Sequence, residues 1–285
     1  MRIAFLNRGR VHPGGDLIAL DATMEALRKR GHTCVETGWD RTAMATGNFD
    51  LAHIYHCDFD WSNGNYEAVL AVGLPYVVTP IYYGFSGSYA RAVLSNARFI
   101  LPFSHTESGL LPILHGRNVR VIPNGTDEMF HAAPLSYVRN AVYGVLCVSA
   151  RGDTDKGVPT VSAICQRLGV PFELATGLTR EQLAQKYFDH KVFVNASTSE
   201  RMSLTTGEAL CAGCRVLDTS ANWGGEHYPG LVRFDPTDEG LLERLIRWAL
   251  TAQSWDWRPN EFARTLTWQY HAECLERVYK EVIGG

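Results

Sequence analysis

Short apolar runs alternate with helix-like patterns along the first half of the chain. Residues 3–6 form an apolar run that predicts a strand. Residues 17–29 then predict a helix, because apolar side chains recur on one helical face at Leu17, Leu20, Met24 and Leu27. The same rhythm predicts further strands at residues 33–36, 51–55, 75–79, 99–102 and 119–122, and helices at residues 66–72 and from residue 90.

A second series of alternating patterns begins near residue 143. It predicts strands at residues 145–149, 172–175, 192–195 and 215–218. The predicted helices are residues 158–168, 180–188, 203–212 and 239–252, with residues 258–282 mostly helical. Thr179 is the expected N-cap of the second of these helices. Strands joined by helices in this way are typical of a parallel sheet, so the sequence predicts two doubly wound, Rossmann-like α/β domains.

The composition limits the class of protein. The chain has 285 residues, a net charge of −3 and 20% charged residues, as is usual for a soluble globular protein. It contains no dense basic tract, so a general electrostatic attraction to nucleic acid is not indicated. No apolar run approaches the ~20 residues that span a bilayer, and the opening residues lack the features of a signal peptide. We therefore expect no integral membrane segment and a cytoplasmic location.

The seven cysteines are scattered, and most lie in apolar contexts. We interpret them as reduced, buried thiols. Cys211 and Cys214 form a C-x-x-C pair, but a zinc site needs a second pair of ligands and none is near in the sequence. We therefore expect no metal.

The loop between the first predicted strand and helix could bind a phosphorylated ligand. Gly14 and Gly15 would let backbone N–H groups approach an anion at the helix N-terminus, and His12 lies just before them. The segment is not G-x-G-x-x-G, so the dinucleotide fingerprint is absent. A tight turn without a ligand is the alternative interpretation.

Charged residues follow two strands of the second series. Arg151 and Lys156 come after the strand at residues 145–149, at the strand end where open α/β sheets bind ligands. Two cations there could neutralise a departing diphosphate, although a solvated charged loop has the same composition. Glu200 and Glu208 flank the start of a helix, and carboxylates accept hydrogen bonds from sugar hydroxyls. That spacing alone is a weak signal.

Taken in order, these segments resemble the retaining glycosyltransferases of family 4. Glu200 to Glu208 is similar to the E-x7-E motif of that family, and Ser149 to Arg151 with Lys156-Gly157 is similar to its phosphate-binding segment. The other matching segments are Gly14-Gly15, residues 30–32, Val121 to Asp127, residues 208–216 and Gly224 to Glu226.

The resemblance implies the glycosyltransferase-B fold, with two Rossmann-like domains facing across a cleft and the donor held mainly by the C-terminal one. We place the N-terminal, acceptor-side domain at residues 1–135 and the donor-binding domain at residues 136–267. A last helix at about residues 268–285 is expected to cross back to the N-terminal domain, anchored by tryptophans at positions 255, 257 and 268.

The resemblance also implies roles for particular residues. Arg151 and Lys156 would hold the donor diphosphate, Glu208 the nucleotide ribose and Glu200 the donor sugar. Backbone N–H groups near the helix start would assist, and Gly15 would lie near the phosphates or the acceptor. The residues of that helix start are Met202, Ser203, Leu204 and Thr205. The implied catalytic set is Glu200, Arg151 and Lys156, and the implied chemistry needs no metal and no cofactor beyond the nucleotide-diphosphate sugar, UDP- or GDP-linked.

The sequence departs from the family pattern in two places. Many relatives carry a histidine after the strand at residues 75–79, where this chain has none. Candidates for its contacts, and for the acceptor side in general, are His12, Gly14, His53, His56, Tyr82 and Tyr83. Relatives also tend to have glycine-aromatic-glycine after the first glutamate, whereas this chain has Arg201-Met202-Ser203. We therefore expect different contacts to the donor sugar.

With this resemblance, the sequence predicts a glycosyltransferase that the family implies to be retaining, metal-independent and of the hexosyltransferase type. It would move a sugar from a nucleotide-diphosphate sugar to a hydroxyl of an acceptor that is a glycan, a lipid-linked molecule or a nucleic acid. One alternative is a glycosyltransferase of the same fold that modifies DNA bases. The others are a non-catalytic sugar-nucleotide-binding protein and a sugar epimerase on the same scaffold.

Overall fold

Two parallel sheets with the same strand order organise the protein. The structure is a computed structural model that describes residues 1–7, 14–38, 40–55, 72–81, 93–110, 118–131, 142–149, 156–251 and 260–284. The chain divides into unit 1, made of Met1–Asn124 and Trp268–Gly285, and unit 2, made of Gly125–Thr267. The boundary predicted after residue 135 lies inside unit 2 by this division.

Unit 1 contains the first sheet. Its described strands are β1 (Arg2–Leu6), β2 (Thr33–Glu36), β3 (Leu51–Tyr55), β4 (Tyr76–Thr79) and β5 (Phe99–Ile100), in the spatial order β2-β1-β3-β4-β5. The helices described between them and after them are α1 (Gly15–Lys29), α2 (Arg41–Thr46) and α3 (His105–Leu110). All residues of β3 and β4 are buried, as is usual where helices cover both faces of a parallel sheet.

Unit 2 repeats this arrangement. Its described strands are β6 (Val142–Val148), β7 (Phe172–Ala175), β8 (His190–Asn195), β9 (Arg215–Thr219) and β10 (Val232–Phe234), in the order β10-β9-β8-β6-β7. Its helices are α4 (Val158–Leu168), α5 (Arg180–Asp189), α6 (Leu204–Ala212), α7 (Glu239–Thr251) and α8 (Glu261–Thr265). Short 3-10 helices span Glu128–His131 and Trp223–His227. Within each unit the first strand therefore lies between the second and the third, and the described strand pairs are all parallel.

The last helix, α9 (Trp268–Gly284), belongs to unit 1. Its buried side chains include Leu275 and Tyr279, and its outer side is joined to the end of α1 by ion pairs. Arg30 Nη2 lies 2.5 Å from Glu276 Oε2, and Arg30 Nη1 lies 3.1 Å from Glu273 Oε1. Among the described helices, α9 included, none has the length and apolar character needed to cross a bilayer.

Local sequence signals account for several helix ends. Thr179 caps α5 as predicted: its hydroxyl accepts from Gln182 N, and the Gln182 side chain accepts from Thr179 N, which is a capping box. Ser203 caps α6 in the same sense, with its hydroxyl accepting from Thr206 N at 3.3 Å. Gly213 ends α6 in the left-handed conformation, at φ 90°.

Two predicted elements differ from the structure. The strand predicted at residues 119–122 pairs with the β5 segment over a short stretch only: a bridge joins Ile100 and Val119, with hydrogen bonds from Arg120 N to Ile100 O and from Ile122 N to Pro102 O, each of 3.0 Å. The proline at position 102 has no N–H with which to continue the ladder. The helix predicted over residues 258–282 is interrupted between α8 and α9. There Thr126 N donates to Leu266 O at 2.8 Å, and Thr126 and Thr267 form a parallel bridge in place of a helical turn.

Other elements were not predicted or cannot be compared. The described elements that the sequence did not predict are α2, α3, β10 and the two 3-10 helices. They are short, at no more than six residues each, and therefore too short to show a clear periodicity. The helix predicted at residues 66–72 lies outside the described residues except for Val72.

Candidate functional site

The topology of unit 2 selects one edge of its sheet as a ligand site. β7 lies on one side of β6, whereas β8, β9 and β10 lie on the other. Open α/β sheets bind ligands beyond the carboxyl ends of the strands where the order reverses in this way. In unit 2 that point lies between β6 and β8, and the segments that follow these two strands carry Lys156 and Glu200.

Lys156 and Glu200 form an ion pair at this point. Lys156 Nζ donates to Glu200 Oε1, and the two side chains are 29% and 13% exposed. The pair is therefore partly buried, and a partly buried ion pair is stronger than one on an open surface. The structure therefore brings together two of the residues that the sequence predicted for the site. Arg151, the third predicted catalytic residue, lies outside the described residues.

Gly157 fixes the position of Lys156 at the start of α4. Its φ is +67°, and a Cβ there would lie 2.3 Å from the carbonyl oxygen of Ala196, in the segment after β8. Glycine is therefore required both for the backbone conformation and for the close approach of the two site segments.

We expect Gly157→Ala to destabilise unit 2 by clearly more than Gly169→Ala. Gly169 ends the same helix with a similar φ of +64°, but a Cβ there has nothing within 4 Å. Gly169→Ala should lower the free energy of unfolding by about 1 kcal/mol, because alanine is strained at positive φ. Gly157→Ala should lower it by about 1–3 kcal/mol more, because its Cβ also clashes with Ala196. Urea denaturation of both variants measures the difference, and equal losses would show that Ala196 moves away freely.

The Glu200 segment is held against the segment that follows β9. Glu200 N donates to Ala221 O at 3.1 Å, Trp223 N donates to Glu200 O at 3.2 Å, and Gly224 N donates to Arg201 O. A Cβ on Gly224 would lie 2.5 Å from Met202 Cβ, so glycine permits this contact. The Arg201 guanidinium lies 4.0 Å from the centre of the Trp223 ring. These contacts fix the backbone on both sides of Glu200.

The start of α6 adjoins Glu200. The Ser203 hydroxyl caps this helix and lies 2.9 Å from Thr205 Oγ1. The first N–H groups of a helix have no partner within it and carry partial positive charge, which favours a phosphate or another anion. The predicted backbone donors, from Met202 to Thr205, therefore belong to the same edge of the sheet as Lys156 and Glu200.

Glu208 lies on α6 and is almost completely buried, at 1% exposure. Arg180 Nη1 donates to its Oε1 at 2.7 Å, and the Tyr187 hydroxyl donates to its Oε2 at 3.2 Å. Arg180 Nη2 also donates to Asp127 Oδ2 at 2.5 Å, and the guanidinium lies 4.7 Å from the centre of the Phe130 ring. We call Asp127, Arg180, Tyr187 and Glu208 the Glu208 cluster.

Burial and charge oppose each other within the Glu208 cluster. Burial raises the pKa of Glu208, and the Arg180 guanidinium acts in the opposite direction. Burial also disfavours the charged form of Arg180, but Glu208 and Asp127 together leave the pKa of Arg180 raised. Each carboxylate oxygen has a second lone pair, so Glu208 can still accept a hydrogen bond from a ligand hydroxyl.

Arg180 and Tyr187 were not predicted from the sequence, and Asp127 was noted there only as part of a motif. Arg180 directly follows the helix cap after β7, so attention to the residues beyond that strand's carboxyl end would have identified it. Tyr187 lies inside α5, where nothing in its spacing distinguishes it from a core residue.

The acceptor-side candidates are only partly described. Gly14 precedes α1 and its carbonyl accepts from Leu17 N and Ile18 N, so the glycine pair forms the helix start as predicted. This start follows β1, which adjoins β3 at the equivalent reversal point of unit 1. The candidates His12, His56, Tyr82 and Tyr83 lie outside the described residues.

His53, another acceptor-side candidate, lies in the core of unit 1 with 0% exposure. Its Nδ1 is 2.6 Å from the Tyr279 hydroxyl, and its Nε2 is 2.8 Å from Thr79 Oγ1. Both ring nitrogens are engaged by buried partners. The structure therefore gives His53 a role in joining β3 to α9 and β4, with no surface for an acceptor.

Acid should destabilise unit 1 because of His53. Burial lowers the pKa of His53 to about 3, from 6.5. Below pH 6.5 the unfolded chain binds a proton that the folded unit excludes, so stability falls as the pH falls. Between pH 6.5 and 5 the loss is about 2 kcal/mol. His271, whose pKa burial lowers to about 4, adds to it.

Hydrogen exchange of peptides from β1 and β3 in urea, at pH 5, 6 and 7, measures this slope. His53→Gln should reduce the slope by about half, because His271 keeps its own contribution. His105→Gln, at an exposed position in the same unit, should leave it unchanged. A slope in His53→Gln equal to that of the wild type would assign the effect to other groups.

The C-x-x-C pair belongs to the interior of unit 2. Cys211 and Cys214 are buried free thiols, and Cys214 Sγ donates to Tyr187 O at 3.2 Å. Burial raises the pKa of Cys211 to about 12, so it stays protonated at neutral pH. Within the described ranges, no group of three His, Cys, Asp or Glu side chains is placed to hold a metal ion.

Comparison with known proteins identifies the fold. No protein-family model matches the chain, and a search of curated proteins finds no match. Solved structures do match. Sucrose-phosphate synthase from Thermosynechococcus elongatus superposes with a TM-score of 0.78 at 16% identity, covering 99% of both chains. Anabaena HepE, solved in complex with UDP, gives 0.77 at 14% identity, covering 99% of this chain and 100% of its own.

A glycosyltransferase from Rickettsia africae gives a TM-score of 0.75 at 12% identity, covering 99% of this chain and 98% of its own. Likenesses at such low identity show the fold. The chain therefore has the α/β fold of the glycosyltransferase-B class, built from two units of parallel strands and helices.

Proposed function

We propose that the protein is a retaining glycosyltransferase that moves a hexosyl group from a nucleotide-diphosphate sugar to an acceptor hydroxyl without a metal. The observation that carries the proposal is the Lys156–Glu200 ion pair, which lies where the strand order of unit 2 reverses and next to the start of α6. Positive charge for a diphosphate and a carboxylate for a sugar occur there together. Family 4 is the group of glycosyltransferases whose motifs support this assignment.

A UDP-linked donor is the first choice. The HepE structures that resemble this chain contain UDP, UDP with glucose, and UDP-glucose, at TM-scores of 0.77, 0.74 and 0.68. A GDP-linked donor is the alternative. The acceptor is a hydroxyl of a glycan, a lipid-linked molecule or a nucleic acid, and the proposal holds for each.

The geometry suggests how the donor would bind. Lys156 would leave Glu200 for the diphosphate and, with Arg151, neutralise the charge that develops as the sugar–phosphate bond breaks. Glu200, released from Lys156, would accept hydrogen bonds from the sugar hydroxyls. Glu208, held in place by Arg180 and Tyr187, would accept from the ribose. The acceptor hydroxyl would then attack from the face that the diphosphate leaves and pass its proton to the departing phosphate oxygen, which retains the anomeric configuration.

Nucleotide binding in the absence of metal tests the donor site. Thermal shifts with UDP, GDP, ADP and CMP, and with the matched sugar nucleotides, would be measured in the presence of a chelator. At a hundredfold excess over Kd, a ligand stabilises the folded state by about 2.7 kcal/mol. Lys156→Ala should weaken binding about tenfold or more, as expected for a lost charge-assisted hydrogen bond. Lys191→Ala, an exposed lysine of unit 2, should not. No shift with any nucleotide would overturn the proposal.

Glu200→Gln should separate binding from transfer. The variant lacks the carboxylate that holds Lys156, so free UDP should bind at least as tightly as it does to the wild type. Release of UDP from the matching UDP-sugar should fall about 100-fold, because the sugar loses a charged hydrogen-bond partner at the reacting end. Calorimetry and a UDP-release assay measure the two quantities. Binding without turnover in the wild type would instead indicate a non-catalytic sugar-nucleotide-binding protein.

A further inference from the structure

A buried carboxylate is hydrogen-bonded to the segments that form the candidate donor site. Asp218, in β9, has 0% exposure. Its Oδ1 accepts from Asn195 Nδ2 at 2.8 Å and from Thr206 Oγ1 at 2.9 Å, and its Oδ2 accepts from Asn222 Nδ2 at 2.8 Å. The three donors are themselves buried. A buried polar network of this kind is stable only when its members are satisfied, so its geometry is tightly specified.

Each of the three donors belongs to a segment that forms the site. Asn195 ends β8, and its side-chain oxygen accepts from Ser197 N at 3.3 Å, on the way to Glu200. Thr206 lies in the first turn of α6. Asn222 forms a backbone bridge with Glu200, and its side-chain oxygen accepts from Ser203 N at 3.3 Å. The hydrogen bonds of Asp218 therefore converge from the two sides of Glu200 and from the helix start.

The backbone contacts also determine which way the two amides point. Because the oxygens of Asn195 and Asn222 accept from backbone N–H groups, their NH₂ groups must face Asp218. With the Thr206 hydroxyl, this presents three donors to one side chain. An ionised carboxylate satisfies all three as an acceptor, whereas an amide or an apolar side chain does not.

We propose that Asp218 is the positioning residue of the donor site. Through Asn195, Thr206 and Asn222 it holds the Glu200 segment and the start of α6 in the geometry that receives the donor diphosphate and sugar. This inference rests on the proposed function for its consequence in donor binding, but the positioning itself is a property of the ligand-free protein.

The ionisation of Asp218 is sensitive to its surroundings. Burial raises its pKa to about 6, and the hydrogen bonds from Asn222, Thr206 and Asn195 act against burial. Among the residues that the structure describes, the other titratable or charged groups that face it are Arg233 of β10, which favours the carboxylate, and Tyr228, whose pKa is raised by burial and by nearby acidic groups including Asp218. Arg233 also braces the adjoining segment, since its Nη2 donates to Ser220 O and Asn222 O.

Asp218→Asn and a side-chain exchange test the proposal. The single variant replaces the accepting carboxylate by an amide, whose NH₂ group would face the NH₂ group of Asn195 or Asn222. The double variant Asn195→Asp with Asp218→Asn puts one carboxylate back into the same network. Asp235→Asn, at an exposed position of unit 2 with only local hydrogen bonds, is the matched control.

In the ligand-free protein, Asp218→Asn should speed hydrogen exchange of peptides 197–206 and 220–225 at least tenfold, with β7 and α7 unchanged. UDP-sugar affinity, by calorimetry, should fall about tenfold. In the wild type, affinity for a UDP-sugar should weaken below pH 6, where Asp218 becomes protonated, and Asp218→Asn should lack this pH dependence. A UDP-sugar is the probe because its diphosphate has no group that titrates in this range. The double variant should recover both quantities in part, and Asp235→Asn should match the wild type. Should Asp218→Asn not fold, Thr206→Val removes a single donor and should show the same pattern at a smaller size.

Unchanged hydrogen exchange in Asp218→Asn would overturn the proposal. Faster hydrogen exchange throughout unit 2 that the double variant Asn195→Asp with Asp218→Asn does not reverse would also overturn it, because it would show general destabilisation. If the wild type binds no nucleotide, the proposed function fails. The hydrogen-exchange rates of the ligand-free variants still decide whether Asp218 positions these segments.

Discussion

Replacing Arg180 by methionine should destabilise unit 2 by about 3–5 kcal/mol, because it leaves the buried Glu208 carboxylate without its countercharge. Glu208 is 1% exposed, and Arg180 also satisfies Asp127. Methionine keeps the apolar length of the side chain, so the loss reports the missing charge and hydrogen bonds rather than missing volume. Urea denaturation, followed by tryptophan fluorescence, to which Trp223 and Trp248 of unit 2 contribute, measures it.

A second arginine of unit 2 provides the control. Arg167 pairs with Glu239 and Glu243, but its side chain is 50% exposed. Surface pairs contribute about 0–1 kcal/mol, so Arg167→Met should lose no more than that. Adding Glu208→Gln to Arg180→Met should recover part of the loss, since the neutral amide removes the uncompensated charge. Equal effects of the two arginine variants would mean that the Glu208 cluster is not a buried ion pair in solution.

The pH dependence of Arg180→Met has a definite sign. Burial raises the pKa of Glu208, and the removal of Arg180 removes the attraction that opposes burial. The folded variant then holds a proton that the unfolded chain releases, so its stability should increase as the pH is lowered from 7 to 5. The wild type should show a smaller increase from this residue.

Removing α9 should unfold unit 1. The helix buries Trp268, His271, Ala272, Leu275, Val278, Tyr279 and Val282. Loss of a large buried side chain costs about 2–5 kcal/mol, and a domain has only about 5–15 kcal/mol in total. The truncation also exposes His53, which loses its Tyr279 partner. Hydrogen exchange of peptides from β1, β3 and β4 measures the effect.

A shorter truncation separates packing from chain length. Removal of residues 283–285 takes away Ile283, which is 44% exposed, and leaves the buried side chains of α9 in place. It should change the exchange of β1 and β3 little. If the full truncation also leaves these strands protected, α9 is an accessory to unit 1 and not part of its core.

The sequence by itself determined the fold class and half of the candidate site. Periodicity identified the buried strands and most long helices, because apolar spacing is a local property. The rule that ligands bind beyond strand ends, together with the family resemblance, selected Lys156, Glu200 and Glu208. The resemblance to family 4 implied the same fold that the solved structures show.

Only the tertiary structure decided which distant residues meet. Arg180 joins Asp127 to Glu208, Asp218 gathers donors from β8, α6 and the segment after β9, and His53 is enclosed by Thr79 and Tyr279. The sequence places some of these residues near strand ends or within a motif, but no local pattern gives their partners, because the partners are set by the order of strands in each sheet. A polar residue at a strand end or inside a helix looks the same in sequence whether it faces a ligand, solvent or a buried partner, and burial, which is a property of the folded unit, makes the difference.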